Sequence, residues 1–203
     1  MASTRDAILD GALHVMRTRG LARTTTKEIA RAAGYSEATL YKLFDDKFDL
    51  FLSVLAERLP TVGVVRDGAA NLAGSVAGKL HQIVVEMTGF YQAVLPIGMS
   101  IFSDSDLLAR HRAAVRMHGT GPESVTDGVR AYLAAEQAAG RIDPAAPIDG
   151  AAMALAGACM HQAFLWCFDG DVGDAATQGS ARVDAFAAGV VAAILPALSP
   201  APD

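Results

Sequence analysis

The chain has 203 residues, 52% of them hydrophobic, 6% aromatic and 19% charged, with a formal net charge of −5. So much apolar material excludes a disordered chain and suffices for a substantial core. Its abundance of Ala and scarcity of aromatic residues favour close-packed helices over sheets.

In chain order, Ser3 or Thr4 can cap a first helix whose Ile8, Leu9, Ala12, Leu13 and Met16 make an apolar stripe ending before Gly20. Arg5, Arg17, Arg19 and Arg23 cluster near its ends, where they are either phosphate contacts or a solvated basic surface. Thr25 is a good N-cap, and Glu28 stands where its carboxylate completes a capping box, so a second helix starts at about Lys27. Gly34 supplies the left-handed residue at its end. Ser36 caps a third helix, Glu37 to about Phe44, with Leu40 and Phe44 turned to the core. This arrangement predicts a helix-turn-helix with the third helix as the major-groove reader. Asp46 caps a fourth helix carrying Phe48, Phe51, Leu52 and Leu55, which ends at Leu59 before Pro60.

Gly20, Thr24, Thr25, Ile29-Ala30, Ala33-Gly34, Ser36, Thr39-Leu40-Tyr41, Phe44, Lys47 and Leu50, taken as an ordered set, resemble the N-terminal domain of the tetracycline-repressor (TetR) family of transcriptional regulators. The resemblance covers about the first 60 residues. It implies phosphate contacts for Thr26, Lys27, Tyr41 and Lys47, and free helix-terminal amides agree with that. Ser36, Glu37, Ala38 and Thr39 open the reading helix. Glu37 can accept from cytosine N4, the methyl groups of Ala38 and Thr39 can pack on thymine, and Lys42 can reach guanine or phosphate. Leu43 stands where the family usually has His, Tyr35 where it has a small aliphatic residue, and Asp45-Asp46 where a polar or basic pair is commoner; these departures bear on the operator.

Beyond Pro60, Thr61 to Ser75 reads as a connection, followed by a long helix from Leu72 through Val76, Leu80, Val84, Met87, Tyr91 and Val94, stopped by Pro96. Ile97 to Phe102 is an apolar connector, and a sixth helix covers about Asp104 to His118 after a Ser103 cap. Thr120 and Glu123 form a capping box opening a seventh helix, which runs to Gln137 and ends at Gly140. Arg141 to Pro147 links to Gly150–Phe168, nineteen residues without Asp, Glu, Lys or Arg. That segment has the length of a membrane span, but His161 and Gln162 at mid-span and the lack of a Lys/Arg flank favour a helix buried on all sides by protein. Asp169 to Gly179 is a polar loop, and a final helix runs from Val183 to Leu195. The chain is therefore expected to be all-α, about nine helices in all. An N-terminal helix-turn-helix domain (1–59) is followed by a helical ligand-binding and dimerisation domain (60–203).

The charge divides with the domains. Residues 1–59 hold nine Lys/Arg against eight Asp/Glu, and residues 60–203 hold eight against fourteen. The first part binds DNA only if its cations sit where phosphates approach, and the acidic second part discourages nonspecific collapse onto DNA. Cys159 and Cys167 lack Cys-x-x-Cys spacing and lie in an apolar helix, so they read as core residues in a reducing compartment. The N-terminus has no signal-peptide core, and a cytoplasmic location is expected.

For the second domain the resemblance implies homodimerisation through the last two helices and a ligand pocket among helices five to eight. Met87, Phe90, Tyr91, Met99, Phe102, Met117, His118, His161, Phe164 and Phe168 are the candidate lining residues, suited to a small apolar or aromatic effector. No His-x-x-x-His pair, G-x-S-x-G motif or phosphate-binding Gly loop occurs, so no metal, cofactor or enzymatic activity is expected. The expected partners are an operator in double-stranded DNA, an effector and a second copy of the chain, with no membrane. The competing reading is a helical scaffold whose helix-turn-helix contacts protein, suggested by Glu37, Asp45 and Asp46.

Overall fold

The computed structural model describes residues 3–21, 23–59, 62, 74–118, 121–171 and 180–199, with the side chains of His118 and Ser180 outside that set. Among the described residues the fold is all-helical: α1 (Thr4–Arg19), α2 (Thr26–Ala32), α3 (Glu37–Tyr41), α4 (Lys47–Arg58), α5 (Val76–Gly98), a 3₁₀ turn (Ile101–Ser103), α6 (Ser105–His118), α7 (Ser124–Ala138), α8 (Ile148–Phe168) and α9 (Ser180–Leu198). Chain contacts divide it into two compact units, Met1–Leu59 with Val94–His118, and Pro60–Ala93 with Gly119–Asp203.

In α1 to α4 the caps fall where the sequence puts them. Ser3 with Asp6 and Thr25 with Glu28 form reciprocal capping boxes, Ser36 accepts from Thr39 N, and Asp46 accepts from Phe48 N and Asp49 N. Ile8, Leu9, Ala12 and Met16 of α1 meet Ile29 and Ala30 of α2, Leu40 and Phe44 around α3, and Phe48, Leu50, Phe51 and Val54 of α4. Each large side chain so buried stabilises the unit by about 1.5–3 kcal/mol. Leu52 and Leu55, expected inside, are only partly buried; Leu50 and Val54 take the inner face of α4. On the surface of the same pairing, Arg58 bonds Asp6 (2.5 Å) and Asp10 (2.7 Å), and Arg5 pairs with Glu57 while lying over the Phe44 ring. The Ser3 hydroxyl and then Arg58 hold the Asp6 carboxyl down at about 2.

Several expectations need correcting. The helix opened by Ser36 ends at Tyr41, where the chain tightens and Leu43 N bonds Leu40 O three residues back. Pro96 does not stop α5, which runs through it to Gly98. A proline in the last turn forfeits one hydrogen bond, and the buried Ile97 and Ile101 hold the chain on course. The cap of α6 is Asp104, whose carboxylate accepts from Asp106 N and Leu107 N; the Ser103 hydroxyl donates to Ser100 O instead. Thr120 of the expected capping box lies outside the described residues, and Glu123 caps α7 without a side-chain bond.

The second unit is built on α7, α8 and α9 with the first part of α5. Val129, Tyr132 and Leu133 of α7 pack with Ala152, Leu155 and Cys159 of α8, Ala187 and Val191 of α9, and Leu80, Val84 and Met87 of α5. The expectation that α8 is buried on all sides is wrong for the single chain. Ala151, Ala152, Leu155, Ala156, Cys159, Ala163 and Trp166 form the inner face, while Met153, Met160, Phe164, Leu165 and Phe168 are exposed, Phe168 to 80%. Together, α5, α7 and α9 cover one side of this helix only. The Glu136 carboxylate is buried and pairs with Arg141 Nε. Tyr132, buried beside it, is pushed above the ordinary phenol range by burial first and then by that carboxylate. Both cysteines are free thiols, and burial raises Cys159 to about 11.

Candidate nucleic-acid interface

Helices α2 and α3 are joined by a turn in which Gly34 takes φ 78° and the Tyr35 N–H reaches back to Ala30 O at 2.9 Å. Only a residue without Cβ adopts that left-handed conformation cheaply. The end of α2 sits against α1 at unusually short range: a Cβ placed on Gly11 would lie 3.0 Å from Ala33 N. Buried Leu40 and Phe44 anchor α3 from below, leaving Ala38, Tyr41 and Lys42 exposed on its outer side and Glu37 and Thr39 half-buried.

Of the expected DNA-facing residues, Lys27, Ser36, Ala38, Tyr41 and Lys42 are exposed, and Thr26, Glu37, Thr39 and Lys47 are half-buried. Some carry internal bonds that the sequence did not reveal. Thr26 Oγ1 donates to Glu37 Oε1 and lies 3.2 Å from Tyr41 OH. The Ser36 and Thr39 hydroxyls bond each other at 2.8 Å. Lys47 Nζ donates to Leu21 O at 2.8 Å; burial lowers its pKa, against the pull of Asp104. Two further protons of that ammonium remain for phosphate. Among the terminal arginines, Arg5 is committed to α4 and Arg19 pairs with Glu28, whereas Arg17 and Arg23 are exposed with no partner among the described residues. Sequence reasoning missed Arg110, which bonds the Asp46 cap of α4 at 2.5 Å and covers the Phe48 ring at 4.2 Å. Burial favours the neutral Asp46 carboxyl, but Arg110 and the Asp49 and Phe48 amides outweigh it and keep its pKa below the usual value.

Residues 8–54 match the family model described as bacterial regulatory proteins, tetR family. The N-terminal domain is a TetR-family domain. Around it, the chain is 32% identical over 85 residues to the HTH-type transcriptional regulator AcrR of Shigella flexneri, covering 41% of this chain and 40% of AcrR. It is 38% identical over 69 residues to the HTH-type transcriptional repressor BepR of Brucella suis, covering 34% of this chain and 33% of BepR. The chain thus spans less than half the length of these relatives. A structure of a putative TetR-family regulator from Mesorhizobium loti superposes with TM-score 0.73, 21% identity and 97% coverage of both chains. SmeT, the repressor of a Stenotrophomonas maltophilia multidrug efflux pump, does so at 0.66 and 16% identity, covering 98% of this chain and 92% of SmeT. At those identities the likeness extends the TetR fold over the whole chain and no more.

The candidate effector residues fall in both units. Met99, Phe102 and Met117 belong to the first and are exposed. In the second, Met87 is core, Phe90 and Tyr91 make an edge-to-face pair at 5.3 Å, and Phe164 and Phe168 lie 6.3 Å apart on the outer face of α8, where His161 is also exposed. The side chain of His118 is outside the described residues. A polar group not singled out from the sequence is Gln92, buried on α5, whose Oε1 has no partner among the described residues.

Proposed function

We propose that the chain is a ligand-responsive DNA-binding transcriptional repressor, in which residues 1–59 read the DNA and residues 60–203 dimerise and sense. The observation that carries this reading is the capped helix-turn-helix of TetR type, with α3 anchored by Leu40 and Phe44 and open to solvent on its outer side. The exposed apolar residues of α8 support a two-fold dimer, since Met153, Met160, Phe164, Leu165 and Phe168 form a face too apolar to leave in water. A dimer implies a near-palindromic operator with the reading helices about 34 Å apart. An apolar or aromatic effector suits the Met and aromatic side chains of the second domain, and a solved structure of similar fold is a SmeT–triclosan complex. A cytoplasmic location follows from this role.

The test is duplex binding by the purified protein across a salt series. A repressor loses affinity steeply as salt rises, and Lys47→Ala lowers the slope by about one unit for every sequence alike. Salt-independent binding, or none, leaves the scaffold reading in its place. Light scattering that gives a monomer at micromolar concentration removes the dimer. Effector control requires reciprocity: a compound that releases DNA must itself bind more weakly by the same factor when operator is saturating.

A further inference from the structure

The hydrogen bonds at the start of α3 assign its side chains to two separate jobs. Thr26 has one hydroxyl proton, and it goes to Glu37 Oε1, because a carboxylate can only accept. The contact of 3.2 Å between Thr26 Oγ1 and Tyr41 OH must then be donated by the phenol. The result is a directed relay, Tyr41 to Thr26 to Glu37, running between the first residue of α2 and the first and last residues of α3. It holds the Glu37 carboxylate back against α2, so that Glu37 is half-buried between the exposed Ser36 and Ala38. Next to it, Ser36 and Thr39 share a bond while Ser36 caps the Thr39 amide, which leaves a single hydroxyl proton for the pair. A hydroxyl bonds either base pair and so discriminates little. Apart from that one proton, what the N-terminal part of the reading helix offers outward without breaking a bond is apolar: the exposed Ala38 methyl, with the half-buried Thr39 beside it.

We infer that Thr26, Glu37 and Tyr41 are positioning residues that set α3 on α2, and that the reading helix selects its site through thymine methyl groups against Ala38 and Thr39, not through a cytosine contact from Glu37. The inference rests on the DNA-binding reading above and names what that surface recognises.

The test starts from a duplex selected by the full-length protein out of a random library, with each thymine then replaced in turn by deoxyuridine, which removes the methyl group alone. Fluorescence anisotropy is expected to show about a fourfold loss of affinity at one or more positions in each half-site, the effect of one buried methyl. Ala38→Gly is expected to abolish that sensitivity at one of them. Glu37→Gln keeps the bond from Thr26 and is expected to select the same sequence as the wild type, whereas Thr26→Val breaks the relay and is expected to narrow the gap between selected and random duplex. Indifference to deoxyuridine at every position in the wild type overturns the inference without any variant having to fold. So does a switch from cytosine to another base on Glu37→Gln. Salt-dependent binding in either of those cases keeps the DNA-binding reading alive, and absence of binding to any duplex removes both.

Discussion

Gly11→Ala sets two known effects against each other. In the middle of α1, replacing Gly by Ala gains about 1 kcal/mol of helix propensity. The new methyl, however, would stand 3.0 Å from Ala33 N, 3.1 Å from Ala33 Cβ and 3.2 Å from Ala33 Cα. Those are mostly backbone atoms, and they are fixed from behind: Ala33 N donates to Ile29 O at 2.9 Å, and the Gly34 turn follows immediately. Overpacking against atoms that cannot rotate away costs about 1–3 kcal/mol. The overpacking cost therefore exceeds the gain, and a net loss of about 1 kcal/mol is expected, lowering Tm by roughly 2–4 °C in a chain of this size. Gly150→Ala is the control, because a Cβ there meets nothing within 4 Å, and a gain of up to about 1 kcal/mol is expected. Urea unfolding of the two variants against wild type decides the matter. If Gly11→Ala stabilises as much as Gly150→Ala, the approach of α1 to α2 is not close-packed and the argument fails. Because the strain falls on the turn between α2 and α3, weaker duplex binding should accompany the loss of stability.

Asp6 has its carboxyl lowered from 3.8 to about 2 by Ser3 and Arg58, so its contribution is complete above about pH 4 and is lost as the pH falls toward 2. Asp6→Asn should flatten that acid limb in a stability-versus-pH series, and an unchanged limb would count against the Ser3–Asp6–Arg58 linkage. Arg141→Met leaves the buried Glu136 carboxylate without its ion-pair partner and should lower the urea midpoint. Adding Glu136→Gln should recover most of the urea midpoint, and no recovery would mean the damage lies elsewhere. Gln92→Leu removes a buried oxygen that has no partner among the described residues and should stabilise the ligand-free protein by about 1 kcal/mol. A lower Tm would show instead that ordered water or another group satisfies it.

Local chemistry determined where most helices begin. A capping box, an N-cap serine or a positive-φ glycine acts over three or four residues, and Ser3, Thr25, Ser36, Asp46 and Gly34 took the positions that their own sequence neighbourhoods dictate. Periodicity likewise marked Ile8, Leu9, Ala12, Met16, Leu40 and Phe44 as core, since a helix has one repeat and one inner face. The ordered set of such positions was enough to carry the resemblance to the TetR family. Tertiary structure decided whatever depends on two segments meeting. Gly11 lies against Ala33, 22 residues on, and nothing in the α1 sequence marks that glycine as a contact rather than a weak spot in the helix. Glu37 reads as a base-contacting carboxylate until Thr26 is found beside it, and Lys47 as a free cation until Leu21 O takes one of its protons. The uncharged run of α8 implied burial, yet a single chain covers only one face of it. Hydrophobicity fixes that a surface must leave water; which neighbour removes it is decided by packing between elements, which the order of residues does not record.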